Sequence, residues 1–204
     1  MLSFQTIEPH TLELLRKLMA MPLLYGTRLV GGTSLALQYG HRNSVDLDFF
    51  GTLDDDLVAF RDCLGSISHV NVIKETKTIR IYDIDGVKID FVDYSRYPWL
   101  ADAVEEDGLR LASPKDIAAM KVNAIEGRGT RKDFVDIYYL LQHYSLTEIL
   151  GFYQEKYPEH SLFRALMSLS YFYDAEKQMM PKMYAPDLWD EMKAYIIKEV
   201  EKIN

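Results

Sequence analysis

Between Arg28 and Phe50 the chain must form a strand, a sharp turn, a helix and a second strand in quick succession, and few folds accommodate that. Arg28-Leu29-Val30 is a short β-favouring run that ends on Gly31-Gly32, and Ser34 to Tyr39 reads as a helix closed by Gly40. Val45 to Phe50 follows as an alternating strand. A strand repeats every two residues, so Val45, Leu47 and Phe49 share one face while Asp46, Asp48 and Phe50 share the other. The apolar face demands a partner layer, and the two carboxylates are placed side by side on the opposite face.

The surrounding sequence extends this α/β arrangement. Leu12, Leu14, Leu15, Leu18 and Met19 recur at helical spacing after Pro9, predicting a helix over about 8–20 that Pro22 and Gly26 close. Asp54 to Leu64 reads as a helix with an acidic first turn. Residues 69–93 are strand-like: Val70, Val72, Ile79 and Ile81 lie in β-favouring runs, and Asp85-Gly86 is a hairpin signal. In Val87 to Val92 the apolar face is Val87, Ile89 and Phe91, which leaves Asp90 on the other face.

From Ser113 the pattern turns helical. Ser113-Pro114 is an N-cap followed by a first-turn proline, and Ile117, Met120, Ala124 and Ile125 continue toward Gly127 and Gly129. A second helix opens at Thr130, and residues 145–204 read as three more, punctuated by Pro158, Pro181 and Pro186. The expected organisation is a core over 1–112, a small mixed β-sheet flanked by helices, and a helical C-terminal region over 113–204.

Composition narrows the function classes. No apolar run approaches the roughly 18 residues of a membrane span, so no membrane partner is expected. The first ten residues lack the basic and apolar regions of a signal peptide, and the lone Cys63 has no internal partner, which points to the cytoplasm. A net charge of −8 disfavours broad nonspecific binding to nucleic acid. The charge is segregated, however. Between Arg110 and Lys132 six basic residues oppose two acidic ones, whereas between His41 and Cys63 six acidic residues oppose two basic ones. An acidic segment suited to cations thus precedes a basic segment suited to phosphates, although two solvated faces of opposite sign would give the same counts.

The candidate chemistry rests on Asp46 and Asp48. Two residues apart on a strand, they are about 7 Å apart at Cα and can reach a shared cation. Mg²⁺ prefers hard oxygen ligands and takes one or two protein carboxylates plus substrate phosphates. Asp90, on a neighbouring strand, would complete a clamp for two ions or take the proton from an attacking hydroxyl. Asp-x-Asp alone is common on solvent-facing strands. It gains weight from the preceding Gly31-Gly32-Thr33-Ser34, where glycines admit close backbone approach and a helix N-terminus can receive a phosphate. Arg42 and Ser44 flank the acidic strand and could position it or touch a phosphate. His41, His69 and His143 lack metal-ligand spacing. Tyr138, Tyr139, Tyr171, Phe172 and Tyr173 read as helix-packing core rather than a base-stacking platform.

The stretches Gly31-Gly-Thr-Ser-Leu-Ala-Leu37 and His41-Arg-Asn-Ser-Val-Asp-Leu-Asp-Phe-Phe50 resemble the AbiEii branch of the DNA polymerase β-like nucleotidyltransferases. Downstream, Lys121 with Arg128, then Arg131-Lys132-Asp133-Phe134-Val135-Asp136, resemble that family's later basic and Lys-Asp-x-x-Asp motifs. The resemblance covers about residues 28–141. It implies a nucleotidyltransferase core that moves a nucleoside monophosphate from an NTP to an acceptor hydroxyl, with two Mg²⁺ ions on Asp46, Asp48 and Asp90. It also implies phosphate contacts from Lys121 and the Gly31 to Ser34 turn, with Arg42, Ser44, Arg128, Lys132, Asp133 and Asp136 in the nucleotide site. Asp133 and Asp136 are three apart on a helix and could instead orient Lys121 and Arg128. The resemblance admits tRNA as acceptor and a toxin role with a cognate antitoxin. A small-molecule acceptor, as in the aminoglycoside nucleotidyltransferases, and a catalytically silent nucleotide- or partner-binding protein are the alternatives.

Overall fold

The computed structural model describes residues 1–185 and 188–203, so the expected break at Pro186 lies outside the described residues. The chain divides into two compact units. The first comprises Met1–Gly40, Ser44–Pro98 and Ala103–Ala112, and the second His41–Asn43, Trp99–Asp102 and Ser113–Asn204.

The first unit is a mixed sheet with helices. Its helices are α1 (Pro9–Met19), α2 (Gly31–Tyr39) and α3 (Leu57–Gly65). Its strands are β1 (Thr27–Leu29), β2 (Leu47–Gly51), β3 (Val70–Glu75), β4 (Ile79–Ile84), β5 (Val87–Asp93), β6 (Val104–Glu106) and β7 (Leu109–Leu111). They form one sheet in the order β3-β4-β5-β2-β1-β7-β6. The β2/β5 and β1/β7 pairs are parallel, and the other pairs are antiparallel. This is the α/β class expected from the alternation of patterns.

One hydrophobic core joins Leu15 and Leu18 of α1, Phe60 and Leu64 of α3, and the inward residues of β2, β4 and β5. At its centre Phe91 stacks on Phe49 and meets Phe60 edge-on, each with ring centroids 5.2 Å away. Gly40 ends α2 in the left-handed conformation, at φ +70°, as a C-terminal glycine should. Asp56 caps α3 by accepting from the amides of Val58 and Ala59. Asp85 and Gly86 both take positive φ in the β4–β5 hairpin.

Two local expectations change, and one hairpin was not expected. Val45 is 59% exposed and precedes β2, so the buried alternation starts at Leu47. Val30 leaves the first strand to serve as the extended N-cap of α2. The β6–β7 hairpin has strands too short to show alternation, but Asp107-Gly108, both at positive φ, carries the same turn signal as Asp85-Gly86. The sequence reading also missed Arg80, which is fully buried with its guanidinium 4.2 Å from the centre of the Phe60 ring and donates to the carbonyl of Asp54.

The second unit is helical among its described residues: α4 (Pro114–Gly127), α5 (Arg131–Leu140), α6 (Leu146–Lys156), α7 (Leu162–Ser168), α8 (Tyr173–Glu176) and α9 (Trp189–Glu201). Four helices thus follow residue 145 rather than three, because the segment between Pro158 and Pro181 breaks once more at residues 169–172, where no proline or glycine marks the end of α7. Ser113 caps α4 through the amide of Asp116, and Ser145 forms a reciprocal capping box with Glu148 on α6. Helix α4 packs against α5, α6 and α7, and α5 against α8 and α9. Phe172 lies in this packing, 4.7 Å from the Phe134 ring. Tyr171 and Tyr173 do not: they are 59% and 61% exposed, which corrects their reading as core. They flank the start of a four-residue helix, too short to turn alternate rings inward.

Removing the central ring should be costly and trimming the misread one should not. Phe91→Ala is expected to lose about 3–5 kcal/mol in urea unfolding, whereas Val45→Ala should stay within about 0.5 kcal/mol of the parent.

Candidate active site

In the first unit the acidic residues are placed by strand register. Asp48 on β2 pairs directly with Asp90 on β5, and because paired residues of parallel strands point the same way, both carboxylates leave one face. Their neighbours Leu47, Phe49, Ile89 and Phe91 fill the core on the other face. Asp46 lies just before β2. The carbonyl of Asp46 accepts from Thr33 Oγ1, which is also hydrogen-bonded to Ser44 Oγ at 2.8 Å. The start of α2 therefore holds the acidic segment by its backbone.

The glycine turn has a specific steric cause. Gly31 sits at φ +69°, and a Cβ there would collide with Asp48 Oδ2. The carboxylate of Asp48 thus occupies space that only glycine leaves, beside the positive end of α2, which no side chain caps. Thr33 and Ser34 are buried, with the Ser34 hydroxyl taken by Gln38, so the turn offers backbone rather than hydroxyl groups to a ligand. Asp90 is partly exposed and ion-paired with Lys88 at 2.5 Å.

The donor chemistry of Asp48 and Asp90 fits a hard divalent cation, since adjacent partly exposed carboxylates supply hard oxygen ligands. Among the described residues, no group of three or more His, Cys, Asp or Glu side chains is gathered into a metal-binding cluster.

In the second unit the remaining site residues form a buried charge network. Arg42 forks onto Asp136, with Nε to Oδ1 at 2.7 Å and Nη2 to Oδ2 at 2.8 Å. His41 Nε2 lies 2.9 Å from the same Oδ1. Lys121 Nζ bridges Asp136 at 2.6 Å and Asp133 at 2.9 Å. Arg128 and Thr130 complete the shell of Asp133. Lys121 is only 4% exposed, so its ammonium is spent on these two carboxylates. Arg128 is the open member, its side chain 59% exposed. Lys132 is partly exposed on the first turn of α5.

The sequence reading passed over a second buried pair. Lys156 Nζ donates to Asp116 Oδ1 at 2.8 Å, and that carboxylate also accepts from Ser113 Oγ and the amide of Leu100. A lysine 40 residues away from its partner carries no local signal; only helix packing brings them together.

Burial by itself would push the carboxyls of Asp136 and Asp133 up. For Asp136 the charges of Arg42 and Lys121 prevail, and for Asp133 those of Lys121 and Arg128, so both are held below the ordinary range. Burial would lower Lys121, but Asp136 and Asp133 outweigh it and raise it. For the depressed acids, the stabilisation is present above the ordinary carboxylate value of about 3.9 and is lost as pH falls through their folded values. For the raised Lys121 it is present below the ordinary lysine value and lost only as pH rises through its folded value. Both tryptophans lie in this unit, so their fluorescence reports on it. We expect its stability to be flat near neutrality and to fall below about pH 4. Asp136→Asn should remove about 3–5 kcal/mol at neutral pH by stranding buried cations and should flatten the acid limb; an unchanged acid limb would remove Asp136 as its cause.

Comparison with known proteins bears on the fold and the family. A crystal structure from H. pylori, described as that of a candidate nucleotidyltransferase, matches with a TM-score of 0.52 and 20% identity, covering 97% of this chain and 99% of its own. The fold is that of a nucleotidyltransferase. The family model described as nucleotidyl transferase AbiEii toxin, type IV toxin–antitoxin system, matches residues 13–201. The chain belongs to the AbiEii nucleotidyltransferase toxin family and is a transferase. It is also 31% identical over 196 residues to the uncharacterized protein aq_aa25 of Aquifex aeolicus, covering 93% of this chain and 94% of that protein.

Proposed function

We propose that the protein transfers a nucleoside monophosphate from an NTP to an acceptor hydroxyl, with Asp46, Asp48 and Asp90 as the metal-binding acids. The observation that carries this reading is the registered pair Asp48 and Asp90, with Asp48 seated in the gap left by the Cβ-less Gly31 at the uncapped start of α2. The same arrangement puts backbone amides of Gly31 and Gly32 beside a carboxylate, which suits the phosphates of a metal–nucleotide complex.

The acceptor oxygen forms a bond to the α-phosphorus, the bond from that phosphorus to the bridging oxygen breaks, and pyrophosphate leaves. Asp90 takes the hydroxyl proton, after exchanging its Lys88 contact for the substrate. Two Mg²⁺ ions, when bound, would neutralise charge developing on the phosphates. Arg42, Lys121, Asp133 and Asp136 are positioning residues that hold one another through the buried network. We extend the reading to a tRNA acceptor in the cytoplasm and to a cognate antitoxin, the last supported by membership of a toxin–antitoxin family. No helix among the described residues is long and apolar enough to cross a membrane.

Asp48→Ala should abolish Mg²⁺-dependent transfer of label from α-³²P NTPs to cellular RNA while the melting curve stays near that of the parent. Retained labelling would defeat the assignment. Gly31→Ala should lower transfer at least tenfold by displacing the Asp48 carboxylate.

A further inference from the structure

A cleft of about 370 Å³ opens in the second unit at the C-terminal end of α4, within the size range of small-ligand sites. Its walls include Glu126, Arg128, Met167, Ser168, Tyr171 and Asp174. Tyr171 and Met167 are large apolar side chains left 59% and 55% exposed. Tyr173 lies beside Tyr171, with ring centroids 6.4 Å apart, is 61% exposed, and carries the ammonium of Lys177 3.8 Å from its ring centre. The arrangement is therefore a cleft of mixed apolar and polar lining continued by two open aromatic rings, with the exposed guanidinium of Arg128 on the cleft and a lysine on the outer ring.

We propose that this surface binds the unpaired bases of a single-stranded polynucleotide acceptor, one base entering the cleft against Tyr171 and the next stacking on Tyr173. Bases present a flat π-face to tyrosine and ring or exocyclic N–H groups to acceptors, and stacking of this kind tolerates any sequence. The Asp174 carboxylate and the Ser168 hydroxyl oxygen supply acceptors at the base edge, since the Ser168 proton is already given to the carbonyl of Arg164. Arg128 and Lys177 supply two cations for the connecting phosphates. Attraction here comes from stacking rather than from a broad positive field, which agrees with a chain of net charge −8. The proposal deepens the transfer reading by assigning a surface to the acceptor's unpaired bases, and it rests on that reading only for the reaction that follows binding.

The test is fluorescence anisotropy of a labelled single-stranded oligoribonucleotide of ~8 nucleotides with the full chain. Tyr171→Ala should weaken binding about tenfold and Tyr171→Phe should not, because only the ring is required. Gly127 also lines the cleft, and a Cβ there meets no atom within 4 Å, so Gly127→Leu can obstruct the cleft without strain and should weaken binding similarly. Two phosphate contacts predict a shallow salt dependence, a slope of about −1.4 in log affinity against log salt. Binding is read without turnover, so an inactive parent protein that still shows these losses defeats the transfer reading and leaves this one standing. Parent-like affinity in both Tyr171→Ala and Gly127→Leu, or no binding by the parent, overturns the proposal and leaves the rings to a protein partner.

Discussion

The parallel pairing of β2 with β5 is the constraint on which the first unit depends. Leu47 opposite Ile89 and Phe49 opposite Phe91 lock the register from the core side, where a slip of one residue would turn every buried side chain outward. The same register sets Asp48 opposite Asp90. Two like charges side by side are unfavourable in themselves, and the packing energy beneath them holds them there. Gly31 extends the argument, because the sheet brings Asp48 so near the entry of α2 that no side chain fits between them. A carboxylate pair held by a hydrophobic core against its own repulsion is suited to bind a cation.

The second unit uses charge differently. The cations of its buried network are not displayed for a ligand but folded into their own counter-ions, with Asp136 satisfied by Arg42, Lys121 and His41 and Asp133 by Lys121, Arg128 and Thr130. Such a network is costly to desolvate and costlier to break, so it specifies one packing of α4, α5 and the segment His41–Asn43. Arg128 is the exception, exposed at the end of α4 next to an open cleft. The basic motif therefore separates into buried residues that orient and one that reaches solvent.

Sequence reasoning was strongest where the signal was local. The Asp85-Gly86 hairpin, the Ser113 cap, the Gly40 stop and the alternation from Leu47 to Phe50 all depend on neighbours within a few residues, and all are present in the fold. It was weakest where short elements or distant partners decide. The three-residue strands β6 and β7 leave no period to detect, and the four helices beyond residue 145 follow from packing as much as from pattern. The resemblance offered Lys121 and Arg128 together as one basic motif. Burial separated them, because the two aspartates of α5 close over Lys121.

The sequence by itself determined the α/β class, the family motifs and the acids and glycines of the candidate site, because strand alternation, turn chemistry and capping are written within a few residues of one another. Only the tertiary structure decided that Asp48 and Asp90 are direct neighbours, that Gly31 is glycine to make room for a carboxylate, and that Tyr171 and Tyr173 face solvent. The reason is physical. Register, steric exclusion and burial are properties of segments meeting across long stretches of chain, and no local pattern records which surfaces will meet.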